Sequence, residues 1–150
     1  MRRRYSTATY LRRLEPLVGE FNLTSDVIVG FPAEDEAAFG RTLRIVEAAG
    51  LSRVHVFPYS PRPGTQTAAA DPVPPAVKRD RGARLRRLSR ELEQRRWRTK
   101  LGTHDRVLVD RPGRGYGGDY SPWLVDAPVG ELVEARAVGL AEEGILAVAA

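Results

Sequence analysis

A proline-rich loop with hydroxyl and guanidinium side chains is the part of the sequence best suited to bind an anion. The loop, Pro58–Thr65, contains Tyr59, Ser60 and Arg62 and follows a predicted strand at residues 53–57. Its three prolines preset the backbone. In parallel α/β folds the carboxyl ends of the strands carry the ligand-binding loops. Such groups suit a carboxylate or a phosphate, and the alternative is a packed loop without a ligand.

The sequence contains no cysteine and only two histidines, His55 and His104. Disulfides, thiolate catalysis and iron–sulfur ligation by this chain are therefore excluded. His55 lies in an apolar predicted strand, where histidine is more often structural or substrate-facing than a metal ligand. Neither histidine has carboxylates at ligand spacing. We predict no metal site and no catalytic residue in this chain.

Basic charge is concentrated in one segment. Residues 78–100 carry eleven basic and three acidic side chains, whereas residues 1–77 and 101–150 have net charges of +1 and −4. This density is typical either of a solvated helix face or of contact with nucleic-acid phosphates, and the pattern leaves both open. No apolar stretch approaches the roughly 20 residues that span a bilayer. We predict a soluble, cytoplasmic protein without a membrane segment.

A strand–helix–strand unit is predicted over residues 26–57, after a helix at Tyr5–Phe21. The β-branched run Asp26–Val29 is typical of a strand buried on both faces, as in a parallel sheet. The acidic residues 34–36 open a helix that ends at Gly50. Units of this kind build parallel sheets and barrels, so the fold class is predicted to be α/β.

The second half of the sequence predicts one long helix and then short strands. The helix spans residues 76–99, with an apolar stripe on one side and most of its arginines on the other. Three alternating runs follow, at residues 106–109, 132–135 and 144–148, separated by glycine-rich turns. These runs favour a small antiparallel β-barrel. We therefore predict two domains, residues 1–100 and 101–150.

Three motifs occur in order over the first 65 residues. Met1–Tyr5 looks like an M-x-R-x-Y element, Asp26–Glu34 is similar to D-x-I-x-G-F-P-G-E, and His55–Thr65 resembles H-x-F-x-Y-S-x-R-x-G-T. Together they resemble the radical-SAM tRNA methylthiotransferases, most closely the branch acting on threonylcarbamoyladenosine. Residues 101–150 resemble the OB-like TRAM barrel that ends these enzymes. The resemblance implies the C-terminal part of a radical-SAM partial (β/α) barrel followed by a TRAM domain.

The sequence departs from the family pattern in two ways. The family's C-x-x-x-C-x-x-C loop and the three cysteines of its N-terminal domain would all precede Met1. Ala33 replaces the glycine of D-x-I-x-G-F-P-G-E, which is tolerable if the backbone φ is negative and costly if it is positive. Met1 falls on an internal methionine of the pattern. We expect a fragment or a misplaced start, and a decayed gene is the remaining explanation.

The family resemblance implies that a methylthio group is added to C2 of a modified adenosine beside the tRNA anticodon. The implied cofactors are S-adenosylmethionine and [4Fe-4S] clusters. This chain would supply S-adenosylmethionine and tRNA contacts without cluster ligands. We predict that it is inactive alone and that the missing N-terminal half is a partner. The alternative is a non-catalytic tRNA-binding module.

The implied site residues fall into two groups. The cofactor-binding group comprises Gly30, Glu34, Tyr59, Ser60 and Arg62. The group expected to contact tRNA comes from the N-terminus, the basic helix and the barrel, and it comprises Arg3, Tyr5, Arg81, Arg84, Arg87, Arg90, Arg114, Tyr116 and Tyr120.

Overall fold

The structure is a computed structural model that describes residues 4–67, 69 and 71–150. The chain divides into two compact units, Met1–Leu92 and Glu93–Ala150. The first contains a parallel strand pair with helices, and the second a closed five-stranded barrel. The predicted α/β class with a small β-barrel is therefore confirmed. Arg3, which we expected to contact tRNA, lies outside the described residues.

The first helix is shorter than the sequence pattern predicts. Helix α1 spans Thr7–Leu14 and is followed by a 3-10 turn at Glu15–Leu17. The Ser6 hydroxyl caps its start by accepting a hydrogen bond from the Thr9 N–H at 3.2 Å. Pro16 ends the α-helical pattern because its nitrogen carries no hydrogen to donate.

The strand–helix–strand unit forms as predicted. Strand β1 spans Thr24–Val29, helix α2 spans Glu36–Ala48, and strand β2 spans Arg53–Pro58. The two strands are parallel, with Asp26 opposite His55 and Ile28 opposite Phe57. Helix α2 begins after Asp35, whose carboxylate accepts a hydrogen bond from the Ala38 N–H at 2.6 Å.

The prediction that the first strand is buried on both faces is wrong. One face of the strand pair packs in the core through Val29 and Val54, together with Phe39 of α2. On the other face Ile28 is 41% exposed and Phe57 is 48% exposed. The β-branched run suits a large sheet covered on both sides. Within the described part of the chain, the sheet has two strands and helices cover one of its faces.

The long helix α3 spans Pro75–Arg98. Leu85 and Leu92 are buried in the core of the first unit, whereas Trp97 is buried in the core of the second. Ser89 of this helix is also buried, and its hydroxyl accepts a hydrogen bond from the Val54 N–H of β2 at 2.9 Å. Helix α3 thus provides the hydrogen-bond acceptor for one backbone N–H of β2.

The second unit is a barrel of five strands in the order β3-β4-β5-β7-β6. The strands are β3 His104–Arg111, β4 Arg114–Tyr116, β5 Pro122–Leu124, β6 Leu132–Leu140 and β7 Ile145–Ala149. Every pairing is antiparallel except β5 with β7, which is parallel and closes the barrel. Trp123, Val107 and Ile145 are fully buried in its core.

Candidate functional site

A pocket of ≈ 630 Å³ lies beside the carboxyl ends of β1 and β2. Five residues of the predicted anion-binding loop line this pocket, and Tyr59, Ser60 and Arg62 are among them. Phe31 and Phe57 add aromatic surface to its wall. The volume falls within the roughly 300–1,000 Å³ of small-molecule sites, which combine apolar walls with a few polar groups.

Tyr59 forms a fixed wall of the pocket because it is held at three points. Its N–H donates to the Val29 carbonyl at 2.8 Å, and its hydroxyl donates to the Thr67 carbonyl at 2.9 Å. Its ring meets the Phe31 ring edge-on, with centroids 5.2 Å apart. Tyr59 is 8% exposed. It therefore offers a pre-positioned aromatic surface to a ligand.

Ser60 and Arg62 differ from Tyr59 because both are exposed. The Arg62 carbonyl accepts a hydrogen bond from the Thr65 hydroxyl at 2.8 Å, which fixes the loop. The Arg62 guanidinium makes no hydrogen bond or ion pair with another described residue. It is available to a carboxylate or a phosphate in the pocket.

Gly30 and Glu34 lie behind the pocket and do not line it. The Gly30 N–H donates to the Glu34 carboxylate at 2.7 Å. Arg81 donates to the same carboxylate oxygen at 2.8 Å and to the Glu34 carbonyl at 2.9 Å. Arg81 is 5% exposed. These contacts order the turn after β1, and they turn the Arg81 guanidinium inward, away from any external phosphate.

Lys78 is a residue that sequence reasoning missed. Its ammonium group donates to the Tyr59 carbonyl at 2.9 Å and to the Asp71 carboxylate at 2.5 Å. Gly30 has φ +75°, and a Cβ there would lie 2.5 Å from the Lys78 side chain. The close approach that Gly30 permits is therefore to Lys78. The available signal was composition, because Lys78 and Lys100 are the only lysines among 24 basic residues, and both form internal ion pairs.

Of the four arginines singled out on α3, only Arg87 and Arg90 remain free. Both are exposed and make no ion pair or hydrogen bond within the described chain. Arg84 donates to Glu36 at 2.6 Å, and its guanidinium lies 4.8 Å from the centre of the Phe39 ring. Arg84, like Arg81, therefore serves contacts within the first unit.

The aromatic residues expected to contact tRNA occupy exposed or half-buried positions. Arg114 and Tyr116 flank the buried Gly115 on β4, and the Arg114 guanidinium lies 5.9 Å from the centre of the Tyr116 ring. Tyr120 follows in the loop before β5; it is 82% exposed and has φ +61°. Near the N-terminus, Tyr5 is 42% exposed and its ring stacks near that of Tyr10.

The loop that carries Tyr120 is anchored by Asp119. This carboxylate pairs with Lys100 at 3.0 Å and with Arg96 at 3.2 Å, and it accepts a hydrogen bond from the Ser121 N–H at 3.1 Å. Burial alone would raise the pKa of Asp119, but the hydrogen bonds from Lys100 and Ser121 outweigh it, so the pKa lies below its ordinary value.

Neither metal ligands nor membrane-spanning helices are found in the described residues. No group of three or more histidine or acidic side chains there is placed to hold a metal ion. No helix there is both long and apolar enough to cross a membrane.

These features define an α/β segment with a pocket at its strand ends, a basic helix and a closed β-barrel. No protein-family model matches the chain. The chain is 33% identical to the threonylcarbamoyladenosine tRNA methylthiotransferase MtaB of Thermotoga maritima, over 97% of its own length. It is 41% and 34% identical to the tRNA-2-methylthio-N(6)-dimethylallyladenosine synthases of Alkalilimnicola ehrlichii and Bartonella bacilliformis, over 76% and 89% of its length.

The chain thus belongs to the tRNA methylthiotransferase family, and it matches the C-terminal part of the family members. The resemblance seen in the three motifs is confirmed. The chain spans between about a quarter and somewhat more than a third of the length of these relatives: 36% of the Thermotoga protein, 26% of the Alkalilimnicola protein and 32% of the Bartonella protein.

Proposed function

We propose that this chain is the cofactor- and tRNA-contacting part of a radical-SAM methylthiotransferase that modifies C2 of an adenosine beside the anticodon. The observation that carries the proposal is the match to a tRNA methylthiotransferase over 97% of the chain. We assign the cofactor contacts and basic helix to residues 1–100, and a TRAM-like barrel to residues 101–150. A tRNA substrate implies a cytoplasmic location.

The strand-end pocket fits S-adenosylmethionine in size and in chemistry. Tyr59 and Phe31 offer aromatic walls to an adenine, and the free Arg62 guanidinium and Ser60 hydroxyl suit the amino-acid carboxylate. When bound, this cofactor supplies the methyl group and the radical of the family's reaction. Gly30 and Glu34 would act indirectly, by holding the turn that carries Phe31.

An iron–sulfur cluster does not fit this chain, which has no cysteine. We propose that the chain alone is inactive. A segment that contains the cluster cysteines would have to supply the ligands. In the described residues β1 pairs only with β2. A strand from that segment would pair with the outer edge of β1, because the far edge of β2 is partly occupied by Ser89.

The proposed tRNA contacts are the exposed arginines of α3 and the aromatic surface of the barrel. Arg87 and Arg90 would bind phosphates, while Tyr120, Tyr116 and Arg114 would stack on bases. Arg84 and Arg81 would support these contacts by fixing α3 to the first unit. The barrel segment carries a net charge of −4, so the helix should supply most of the salt dependence.

A filter-binding titration with tRNA at rising salt tests this proposal. Affinity should fall with salt, because contacts to phosphates release counterions. The double variant Arg87→Gln/Arg90→Gln should reduce the slope of log K against log salt by roughly 1.4–1.8. The matched control Arg12→Gln/Arg13→Gln removes the same charge from α1 and should leave the slope near that of the unmodified chain. Salt-independent affinity, or equal effects of both doubles, would contradict the proposal.

The second candidate is a non-catalytic tRNA-binding module, which the exposed, unpaired Arg87 and Arg90 of α3 favour. The two candidates differ when a cysteine-bearing N-terminal half is added. Reconstituting the chain with the corresponding half of the Thermotoga relative should restore methylthiolation of tRNA if the chain is part of an enzyme. Intact tRNA binding without any methylthiolation in the mixture would support the module. Methylthiolation by the chain alone would contradict both.

A further inference from the structure

A second, smaller cleft lies where α3 passes the ends of both strands of the first unit. Its volume is ≈ 230 Å³. Val29 and Pro58 form its apolar side, and Arg79, Gly82 and Arg86 form its side on α3. We propose that this cleft is a phosphate-binding subsite, with a phosphodiester of bound tRNA as its occupant. That the phosphate belongs to tRNA rests on the proposed function. That the ligand is a phosphate rests on the residues that line the cleft.

Two uncompensated positive charges face this cleft. Arg79 and Arg86 lie two helical turns apart on α3 and are both exposed. Neither makes a hydrogen bond or an ion pair with another described residue. The acidic neighbour Asp80 lies 3.5 Å from Arg84. A guanidinium pair without a carboxylate attracts an anion, and planar guanidinium groups suit the oxygens of a phosphate.

Lys78 lines the same cleft but does not add a free charge. Its ammonium group is already bound to the Tyr59 carbonyl and the Asp71 carboxylate. The carbon stem of Lys78 therefore extends the apolar wall formed by Val29 and Pro58. Such a wall excludes water from one side of the bound anion and strengthens its attraction to Arg79 and Arg86.

Gly82 gives the cleft its depth. Glycine in the interior of a helix is destabilising relative to alanine, so its presence in α3 calls for a reason. Gly82 is buried, and a Cβ there would lie 3.1 Å from the Arg86 guanidinium. The missing side chain thus leaves the space into which Arg86 folds. A methyl group at this position would force the guanidinium to move by a few tenths of an ångström.

The first test compares the double variant Arg79→Gln/Arg86→Gln with Arg12→Gln/Arg13→Gln, which removes equal charge elsewhere. In tRNA filter binding, the cleft variant should lower affinity at least tenfold at low salt and reduce the salt slope by roughly 1.4–1.8. A second arm uses inorganic phosphate alone, measured as a rise in melting temperature. That rise should disappear in the cleft variant and persist in the control.

The arms separate the possible sources of the phosphate. Effects in both arms support the subsite with tRNA as occupant, whereas an effect with inorganic phosphate alone supports a subsite for a free phosphate. If neither arm depends on Arg79 and Arg86, the subsite is overturned. The proposed function survives that result if the Arg87→Gln/Arg90→Gln variant still weakens tRNA binding. Absence of tRNA binding by the unmodified chain would instead remove the proposed function.

Gly82→Ala provides a test in which stability and binding move in opposite directions. The helix propensity of alanine should raise the melting temperature of the first unit by about 4–8 °C. The shift of the Arg86 guanidinium should nevertheless weaken its contact with the phosphate, so tRNA affinity should fall. A stabilised variant that binds tRNA as well as the unmodified chain would count against the cleft. Loss of binding through unfolding is ruled out by the melting curve itself.

Discussion

Ala33 occupies a backbone conformation that its side chain disfavours. Its φ is +67°, and the turn around it is closed by a hydrogen bond from the Glu34 N–H to the Phe31 carbonyl at 2.8 Å. A left-handed conformation costs an L-residue roughly 1–2 kcal/mol. The sequence pattern identified this position, because the related motif has glycine there. The structure shows that φ is positive, which is the conformation in which an alanine side chain is strained.

Ala33→Gly should therefore stabilise the first unit. We expect the free energy of unfolding to rise by about 0.5–1 kcal/mol, since the relief of strain exceeds the extra entropy of glycine in the unfolded chain. Urea denaturation followed by circular dichroism measures the change. Ala37→Gly in α2, also at an exposed position, is the control and should destabilise by about 0.5–1 kcal/mol. A loss of stability in both variants would show that Ala33 is unstrained.

Tyr120 combines a left-handed backbone with an almost fully exposed ring. Packing within the barrel does not explain this ring, so stacking on a base is the role that would compensate the strain. Tyr120→Asn should leave the barrel at least as stable, because asparagine tolerates positive φ. The same change should weaken binding of tRNA roughly 5- to 150-fold, as expected for one stacked base.

Tyr120→Phe retains the ring and is the matched control for this prediction. It should bind tRNA nearly as well as the unmodified chain in the same filter-binding assay. If the phenylalanine and asparagine variants bind equally, Tyr120 does not stack on RNA.

At the scale of elements, one buried ion pair connects α3 to the turn between β1 and α2. Arg81 and the Glu34 carboxylate have side chains that are 6% and 10% exposed. Arg81→Met should lower the free energy of unfolding by about 3–5 kcal/mol, because it leaves a buried carboxylate without its cation. Arg84→Met removes a more exposed pair with Glu36 and should cost at most about 1 kcal/mol.

Chemical denaturation of the two arginine variants under identical conditions measures this difference. Equal losses would mean that the Glu34 carboxylate gains water when Arg81 is removed, and that the turn is not dependent on the ion pair.

The strand–helix–strand unit was predictable because each element carries its own periodic pattern and end signal. The turn contact between Gly30, Glu34 and Arg81 was not, since it joins residues 47 positions apart in the chain. The parallel pairing of β5 with β7 was equally hidden, because β5 has only three residues and shows no alternation. The sequence placed the loop 58–65 at the end of a strand, and residues of this loop line the pocket. The contacts of Gly30 and Glu34 depend on α3, which no local pattern reveals.

At the scale of the whole molecule, the two units can be observed separately. Both tryptophans, Trp97 and Trp123, are buried in the core of the barrel unit. Tryptophan fluorescence therefore reports unfolding of the second unit, whereas most of the helical signal in circular dichroism comes from the first. This separation makes the barrel accessible to a measurement of its own stability.

Asp119 should make the barrel sensitive to acid. Its pKa in the folded state is below the ordinary value of 3.8, so its stabilising effect is complete above about pH 5 and is lost as pH falls through the lowered pKa. Asp119→Asn should destabilise the barrel at pH 7 by about 1–3 kcal/mol, because Lys100 and Arg96 each lose one carboxylate partner, and Lys100 keeps only its longer contact with Asp105 at 3.4 Å. The variant should also lose less stability as the pH falls below about 5, measured by tryptophan fluorescence, so the acid limb of its stability curve should be flatter.

Asp126→Asn is the matched control, because Asp126 is exposed and has no pairing partner among the described residues. Its barrel should keep both the stability at pH 7 and the acid limb. An unchanged acid limb in the Asp119 variant would assign the pH dependence to other carboxylates.

The covered edge of β2 limits how many copies of the first unit can associate through their strands. Ser89 occupies the Val54 N–H, and Pro58 at the end of the strand has no N–H to offer. The far edge of β2 is therefore a poorer acceptor for a foreign strand than the edge of β1. A chain with two open edges can polymerise without limit, whereas one with a single open edge is satisfied by one partner. Strand-mediated association of this unit therefore favours a pair over a filament.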